Sequence, residues 1–89
     1  MGSIIRVNFF ARWSRPVYVG LGDHLDTTIT GPADAIRYMG SKFQSQRGTN
    51  YFRAHAICHH ALLGEVCPDV ARQPFLDAWV DQNFHLASE

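Results

Sequence analysis

Residues 47–64 read RGTNYFRAHAICHHALLG and form the clearest predicted helix of the chain. The apolar residues expected to face the core recur at helical spacing: Tyr51, Ala54, Cys58, Ala61 and Leu62. Three more apolar residues extend this surface around one side of the helix: Phe52, Ala56 and Leu63. Thr49 or Asn50 is suited to cap the start of the helix. Gly64 is suited to end it, because glycine adopts the left-handed conformation that closes many helices.

Two strands are predicted before this helix. Between Pro16 and Leu21, the valines 17 and 19 alternate with other residues, which is typical of a half-buried strand. Gly22-Asp23 supplies turn chemistry. Leu25–Thr30 is rich in β-branched residues, which fit a pleated surface. The sequence therefore predicts an antiparallel hairpin.

Two more helices are predicted, one before and one after residues 47–64. The first begins at Pro32, because proline suits the first position of a helix. The other begins at Pro68 and contains Pro74, which has no N–H to donate and crowds the preceding turn. We therefore expect a kink at Pro74, or a short turn at 68–72 followed by a new helix from about Gln73.

The length of 89 residues is enough for one domain only. We expect residues 13–89 to form a single α+β domain, a two-stranded antiparallel hairpin packed on three helices. Residues 1–12 form a separate N-terminal segment. Its alternation of Ile5 and Val7 with polar residues fits a third N-terminal strand, whereas its position at the terminus fits a flexible tail. Both alternatives stay open.

The composition excludes several classes of protein. A hydrophobic share of 46% argues against global disorder, and a formal net charge of zero argues against a dedicated binder of nucleic acid or anionic membranes. No apolar run is long enough to span a membrane, and the N-terminus does not resemble an export signal. We therefore expect a cytoplasmic protein in which Cys58 and Cys67 are free thiols.

The charges are unevenly divided along the chain. Residues 1–53 hold seven Lys and Arg against three Asp and Glu, a net of +4, whereas residues 54–89 hold one Arg against five acids, a net of −4. Such a chain can pair head to tail with a second copy or with another protein. The alternative is that both halves are simply solvated.

Three short patterns occur in order along the chain. They are Trp13-x-x-Pro16-Val17-x-Val19, then Arg47-Gly48-x-x-Tyr51-x-x-Ala54-x-x-x-Cys58-x-x-Ala61-Leu62-x-Gly64, then Pro68-x-x-Ala71-Arg72-x-x-Phe75-x-x-Ala78, with a helix around Ala35 after the first. Over residues 13–80 the chain resembles domain-of-unknown-function family 982, a family of small bacterial proteins. The resemblance implies a compact α+β domain with no known enzyme activity. The chain departs from the family pattern at Phe43, at Pro74 and in its histidines, which argues against a family-wide role for the histidines.

His55, Cys58 and His59 are the candidate metal ligands. They lie three and four residues apart on one helix, and Zn²⁺ prefers such imidazole and thiolate ligands. Cys67 or a second chain could complete the site. However, Cys58 lies in the apolar stripe and no fourth ligand follows at a recognised zinc spacing. We therefore expect no structural metal, no cofactor and no Cys–His nucleophile, because a packed thiol is not activated. The protein is not expected to be an enzyme.

Four basic residues surround the predicted loop between the first two helices: Arg37, Lys42, Arg47 and Arg53. With the neighbouring aromatic residues they could contact phosphate or RNA. We favour the alternative that Arg47-Gly48 caps and turns the chain, with Tyr51 and Phe52 in the core. We therefore do not expect nucleic acid as a partner.

The last predicted helix carries more apolar surface than one small core can bury. The residues expected to form an interaction surface are Phe75, Leu76, Trp79 and Val80. The leading hypothesis is a non-enzymatic protein-interaction module that forms a homodimer or binds an unidentified protein partner. The alternative is a small regulatory protein that binds nucleic acid or a metal ion through residues 47–60.

Overall fold

The computed structural model describes residues 11–20, 25–43 and 48–85. The elements follow in the order β1 (Val17–Val19), β2 (Thr27–Ile29), α1 (Pro32–Lys42), α2 (Thr49–Leu62) and α3 (Arg72–Val80). A 3₁₀ turn, Pro68–Ala71, precedes α3, and a π-helical turn, Asp81–His85, follows it. Within the described residues the chain thus has a hairpin and three α-helices, and the predicted α+β class is confirmed.

The two strands pair antiparallel, with Tyr18 opposite Thr28. Val17 and Val19 are buried and Tyr18 is exposed, as the alternation along β1 predicts. Both strands are shorter than predicted. Leu25, the first residue of the predicted second strand, precedes β2 and is 55% exposed.

The third helical region divides where the sequence predicts it. Residues 68–71 form the 3₁₀ turn, and α3 begins at Arg72, one residue before the expected start. Pro74 therefore lies in the first turn of α3. The N–H groups of a first turn have no intrahelical acceptor, so a proline there removes no helical hydrogen bond. The prediction of a short turn followed by a new helix is confirmed.

Phe75 lies at the centre of the hydrophobic core and has no solvent exposure. Its ring centre lies 5.9 Å from that of Trp13, 6.2 Å from that of Tyr38 and 6.4 Å from that of Phe43. These rings come from the segment before β1, from α1 and from the end of α1. Aromatic contacts at such distances add about 0.5–1.5 kcal/mol each beyond the burial of apolar area.

The hairpin is tied to the third helical region by polar contacts. The guanidinium of Arg72 donates to the backbone oxygens of Arg15 and Pro16 at 3.0 and 3.4 Å. The indole N–H of Trp79 donates to the backbone oxygen of Gly20 at 3.1 Å. These bonds satisfy backbone carbonyls at both ends of β1. Within the described residues the sheet has only two strands, and a two-stranded hairpin is marginally stable by itself. The contacts with Arg72 and Trp79 therefore help to hold the hairpin against α3.

The chain before β1 passes directly over the start of α1. The backbone N–H of Trp13 donates to the oxygen of Thr30 at 2.7 Å. The predicted alternatives of a strand or a tail concern residues 1–12. Residues 1–10 lie outside the described residues, and residues 11 and 12 belong to no strand. Gly31 is buried under this crossing, and a Cβ at that position would lie 2.2 Å from the backbone oxygen of Ala11.

We predict that Gly31→Ala destabilises the domain by about 1–3 kcal/mol, because the backbone of residues 11–12 must move away from the added methyl group. Gly40→Ala is the matched control. Nothing lies within 4 Å of a Cβ at Gly40, and alanine favours the helix by up to about 1 kcal/mol. Urea unfolding at one fixed protein concentration checks both. Equal stability of the two variants would contradict the close crossing.

A second prediction concerns Asp69, whose carboxylate accepts hydrogen bonds from the backbone N–H and the hydroxyl of Ser14. These two bonds lower the pKa of Asp69. A lowered pKa in the folded state stabilises the protein above the ordinary carboxyl pKa of about 4. This contribution is lost as the pH falls through the lowered value.

Asp69→Asn is therefore expected to reduce stability at pH 7, and the difference from wild type should vanish in acid, below the lowered pKa. Asp77→Asn is the control, because Asp77 accepts a bond from Gln73 on its own helix and does not join two segments. Urea unfolding across this pH range measures the effect. A difference that is independent of pH would show that the ionised carboxylate is not its cause.

Candidate functional site

The structure separates the three candidate ligands of α2 into two groups. His55 and His59 lie side by side, with ring centres 4.7 Å apart, and the ring of Tyr51 packs against His55 at 5.8 Å. Cys58 has no solvent exposure and points into the core. Among the described residues, no group of three or more His, Cys, Asp or Glu side chains is placed to hold a metal ion. One chain thus brings together two imidazoles and leaves the thiol apart from them.

Burial controls the chemistry of Cys58. It raises the pKa of the thiol to about 12, because a thiolate loses its hydration in an apolar environment. At pH 7 only about one molecule in 10⁵ then carries the nucleophilic thiolate. Cys67, in contrast, is exposed, and both cysteines are free thiols. The geometry therefore offers no support for a Cys–His nucleophile.

The neighbouring histidines differ in their partners. Burial and the adjacent His59 ring both lower the pKa of His55, so its neutral form is favoured. His60 lies on another side of the helix, where its Nδ1 contacts the carboxylate of Glu65. His60 is thereby held away from the His55–His59 pair.

The side of α2 that faces away from the core carries a second apolar stripe, which we call the outer stripe. Its members are three or four residues apart and all are exposed: Phe52, Ala56, His59 and Leu63. Phe52 is 59% exposed, so its expected place in the core was wrong. The buried residues of α2 lie on the opposite side: Ala54, Cys58, Ala61 and Leu62.

The spacing of residues on α2 could have revealed the outer stripe. At 100° per residue, Phe52 lies about 120° or more around the helix from Ala54, Cys58 and Ala61. It shares a side with Ala56 and Leu63. Tyr51 is partly buried against the core, so the two adjacent aromatic residues face different environments.

Most of the interaction surface predicted on α3 is packed against the core of the chain. Phe75 belongs to the core of the single chain, and Leu76 and Trp79 are partly buried against that core. Trp79 also donates to Gly20. Val80 is 38% exposed, so of the four predicted residues it alone counts as an exposed side chain. A helix with much apolar surface was predicted to bind outward, but the structure uses most of that surface within the chain.

The structure describes three of the four basic residues that were considered for a phosphate or RNA patch. Arg37 pairs with Asp34 at 3.3 Å, and Asp34 also accepts from the backbone N–H and hydroxyl of Thr30. Arg37 and Lys42 line one wall of a groove of about 210 Å³ between α1 and β2. Arg53 is exposed on α2. Arg47 lies outside the described residues.

The fold and these surfaces define a small α+β domain built from a hairpin and three helices. Over residues 15–86 the chain matches the model of the family described as "Protein of unknown function (DUF982)", and it belongs to that family. No curated protein and no solved structure matches it. In the part of the chain that the structure describes, no helix is both long and apolar enough to cross a membrane.

The burial of Cys58 predicts a clear difference in thiol reactivity. In native protein at neutral pH, a thiol reagent should modify Cys67 rapidly and Cys58 only after unfolding, because burial suppresses both access and ionisation. Mass spectrometry of peptides after timed alkylation measures each site, with protein in urea as the control for complete modification. Comparable rates at both cysteines in the folded protein would contradict the packing of Cys58.

Proposed function

We propose that this protein is a non-enzymatic interaction module of the bacterial cytoplasm that forms a two-fold homodimer through the outer stripe of α2. The observation that carries the proposal is the exposure of Phe52 on a helix that is apolar on two opposite sides. A helix with this pattern is suited to packing between two layers. α1 and α3 supply one layer, and the second copy supplies the other.

The chemistry of the outer stripe favours a second copy of the chain as the partner. The stripe contains no carboxylate, ammonium or guanidinium group. In a two-fold interface each surface meets itself, so a stripe with such groups would face its own charge. A stripe without them avoids this repulsion.

The ends of the stripe fit an antiparallel arrangement of the two α2 helices. The stripe runs from residue 52 to residue 63, so its midpoint falls between residues 57 and 58. A two-fold axis at this midpoint places Phe52 beside Leu63 of the second copy. Ala56 then lies near the axis, where a small side chain allows the helices to approach closely.

The charges flanking the stripe support the same arrangement. Arg53 is exposed near the start of α2, and Glu65 is exposed just after its end, on the side reached by His60. In the antiparallel pair, the start of one helix meets the end of the other. Arg53 thus approaches Glu65 of the second copy, which aligns opposite charges at both ends of the interface.

Two features favour this function over the alternatives of an enzyme or a nucleic-acid binder. The buried Cys58 thiol is not an available nucleophile. The pairing of Arg37 with Asp34 balances part of the positive charge near the groove beside α1.

The free state of both cysteines is consistent with a reducing compartment, which supports the cytoplasmic location.

We predict that Phe52→Ser raises the dimer dissociation constant at least about tenfold, because each interface loses two aromatic rings. The variant chain should fold normally, since Phe52 contributes little to the core. Tyr18→Ser is the matched control, because Tyr18 is 58% exposed on β1, away from the outer stripe. Sedimentation equilibrium at micromolar concentrations gives the dissociation constants.

A monomer mass for wild-type protein throughout the micromolar range would overturn the proposal. If wild type dimerises and Tyr18→Ser weakens the dimer while Phe52→Ser does not, the interface is on the hairpin and the outer stripe is excluded. Circular dichroism of each variant confirms that changes in association do not result from unfolding.

A further inference from the structure

We infer that His55 and His59 of α2 form half of a binding site for a divalent transition-metal ion, and that the same pair from a second copy completes it. The inference rests on the proposed dimer, because the second half of the site comes from the partner. It assigns an exchangeable ion at the interface and differs from a structural metal that the fold of one chain would require.

The distance between the two rings suits a shared ion. Zinc–nitrogen bonds are about 2.0–2.1 Å long, so two imidazoles on one tetrahedral ion have ring centres roughly 5 Å apart. The observed distance is 4.7 Å. Histidines four residues apart are neighbours on one side of a helix, so a rigid α2 holds the pair in this relation without further chain movement.

The surroundings distinguish this pair from the other possible ligands of α2. Cys58 is fully buried and cannot reach an ion on the surface. His60 is engaged by Glu65. His55 is partly buried beside Tyr51, while His59 is exposed on the outer stripe. The pair therefore opens toward the proposed interface.

The position of the pair along α2 explains why two copies would share one ion. His55 and His59 lie on either side of Ile57, next to the midpoint of the outer stripe at residues 57–58. A two-fold axis at that midpoint brings both pairs to the same place. Four imidazoles can then surround one ion, the coordination number that zinc prefers. Imidazole ligands also suit copper and nickel.

A metal ion binds the neutral imidazole, so the ligand histidines should not already be paired with a carboxylate. Neither histidine has to break an ion pair with a described residue before it binds.

The inference can be tested with chelator-treated protein that carries no histidine tag. Co²⁺ is titrated and its visible absorption, which is intense for four-coordinate ions, is recorded. Zn²⁺ binding is measured by calorimetry. Sedimentation equilibrium is run with Zn²⁺ and with chelator. We expect one ion for two chains, a four-coordinate Co²⁺ spectrum and at least tenfold tighter dimerisation with Zn²⁺.

His55→Gln and His59→Gln should each abolish the four-coordinate spectrum, because glutamine keeps a similar size but does not replace imidazole as a ligand. His60→Gln and Cys58→Ala are the matched controls and should retain both the spectrum and the stoichiometry. Retention of binding in the double variant of His55 and His59, or its loss in His60→Gln, would overturn the inference.

The experiment separates this inference from the proposed function. A dimer that forms equally well in chelator and binds no ion overturns the metal site and leaves the dimer in place. A chain that stays monomeric under all conditions overturns the proposed function. If that monomer binds one ion per chain, the two histidines are ligands but the shared site is overturned as well.

Discussion

The fold depends on the packing of Phe75. This side chain has no exposure, and the rings of Trp13, Tyr38 and Phe43 surround it. These residues come from the segment before β1, from α1 and from α3. The ring of Phe75 therefore joins three parts of the chain that lie far apart in sequence. A domain of 89 residues buries only about 60–65% of the surface that its unfolded chain exposes, less than a larger domain does. Replacing such a central ring with a small side chain typically costs about 3–5 kcal/mol, which is a large fraction of the total stability of a small domain.

Much of the fold follows from local features of the sequence. The alternation along β1 and the helical spacing of Ala54, Cys58, Ala61 and Leu62 identify the buried faces, because those patterns come directly from backbone geometry. The divided third helical region follows from Pro74, which fits only the first turn of a helix. These predictions succeed because the cause and the effect lie within a few residues of each other.

The errors concern how the elements are arranged around one another. Phe52 and Phe75 are both aromatic residues on predicted helices, yet the first is exposed and the second is the centre of the core. Local spacing shows that a helix has an apolar side, but it does not show which of two apolar sides meets the rest of the chain. The polar contacts of Asp69 and Arg72 with residues 14–16 join positions more than fifty residues apart. Short sequence patterns cannot predict such contacts, because they depend on how distant segments pack together.

The exposure of the outer stripe also follows from the packing around Phe75. The described chain covers one side of α2 and leaves the outer stripe exposed, because the core built around Phe75 engages α1 and α3 on a single side of that helix. Exposure of one aromatic ring is common on protein surfaces. Here, however, the ring lies in a stripe without carboxylate, ammonium or guanidinium groups, and a pair of adjacent imidazoles lies next to the midpoint of that stripe. The stripe provides apolar contact area without directionality, whereas the imidazoles provide directional ligands at its centre. In the proposed dimer, apolar packing alone would permit the two α2 helices to slide along each other, and coordination of one shared ion would fix their register. The dimer and the metal site would thus be stabilised by different interactions, apolar packing and coordination, although both would use the same face of α2.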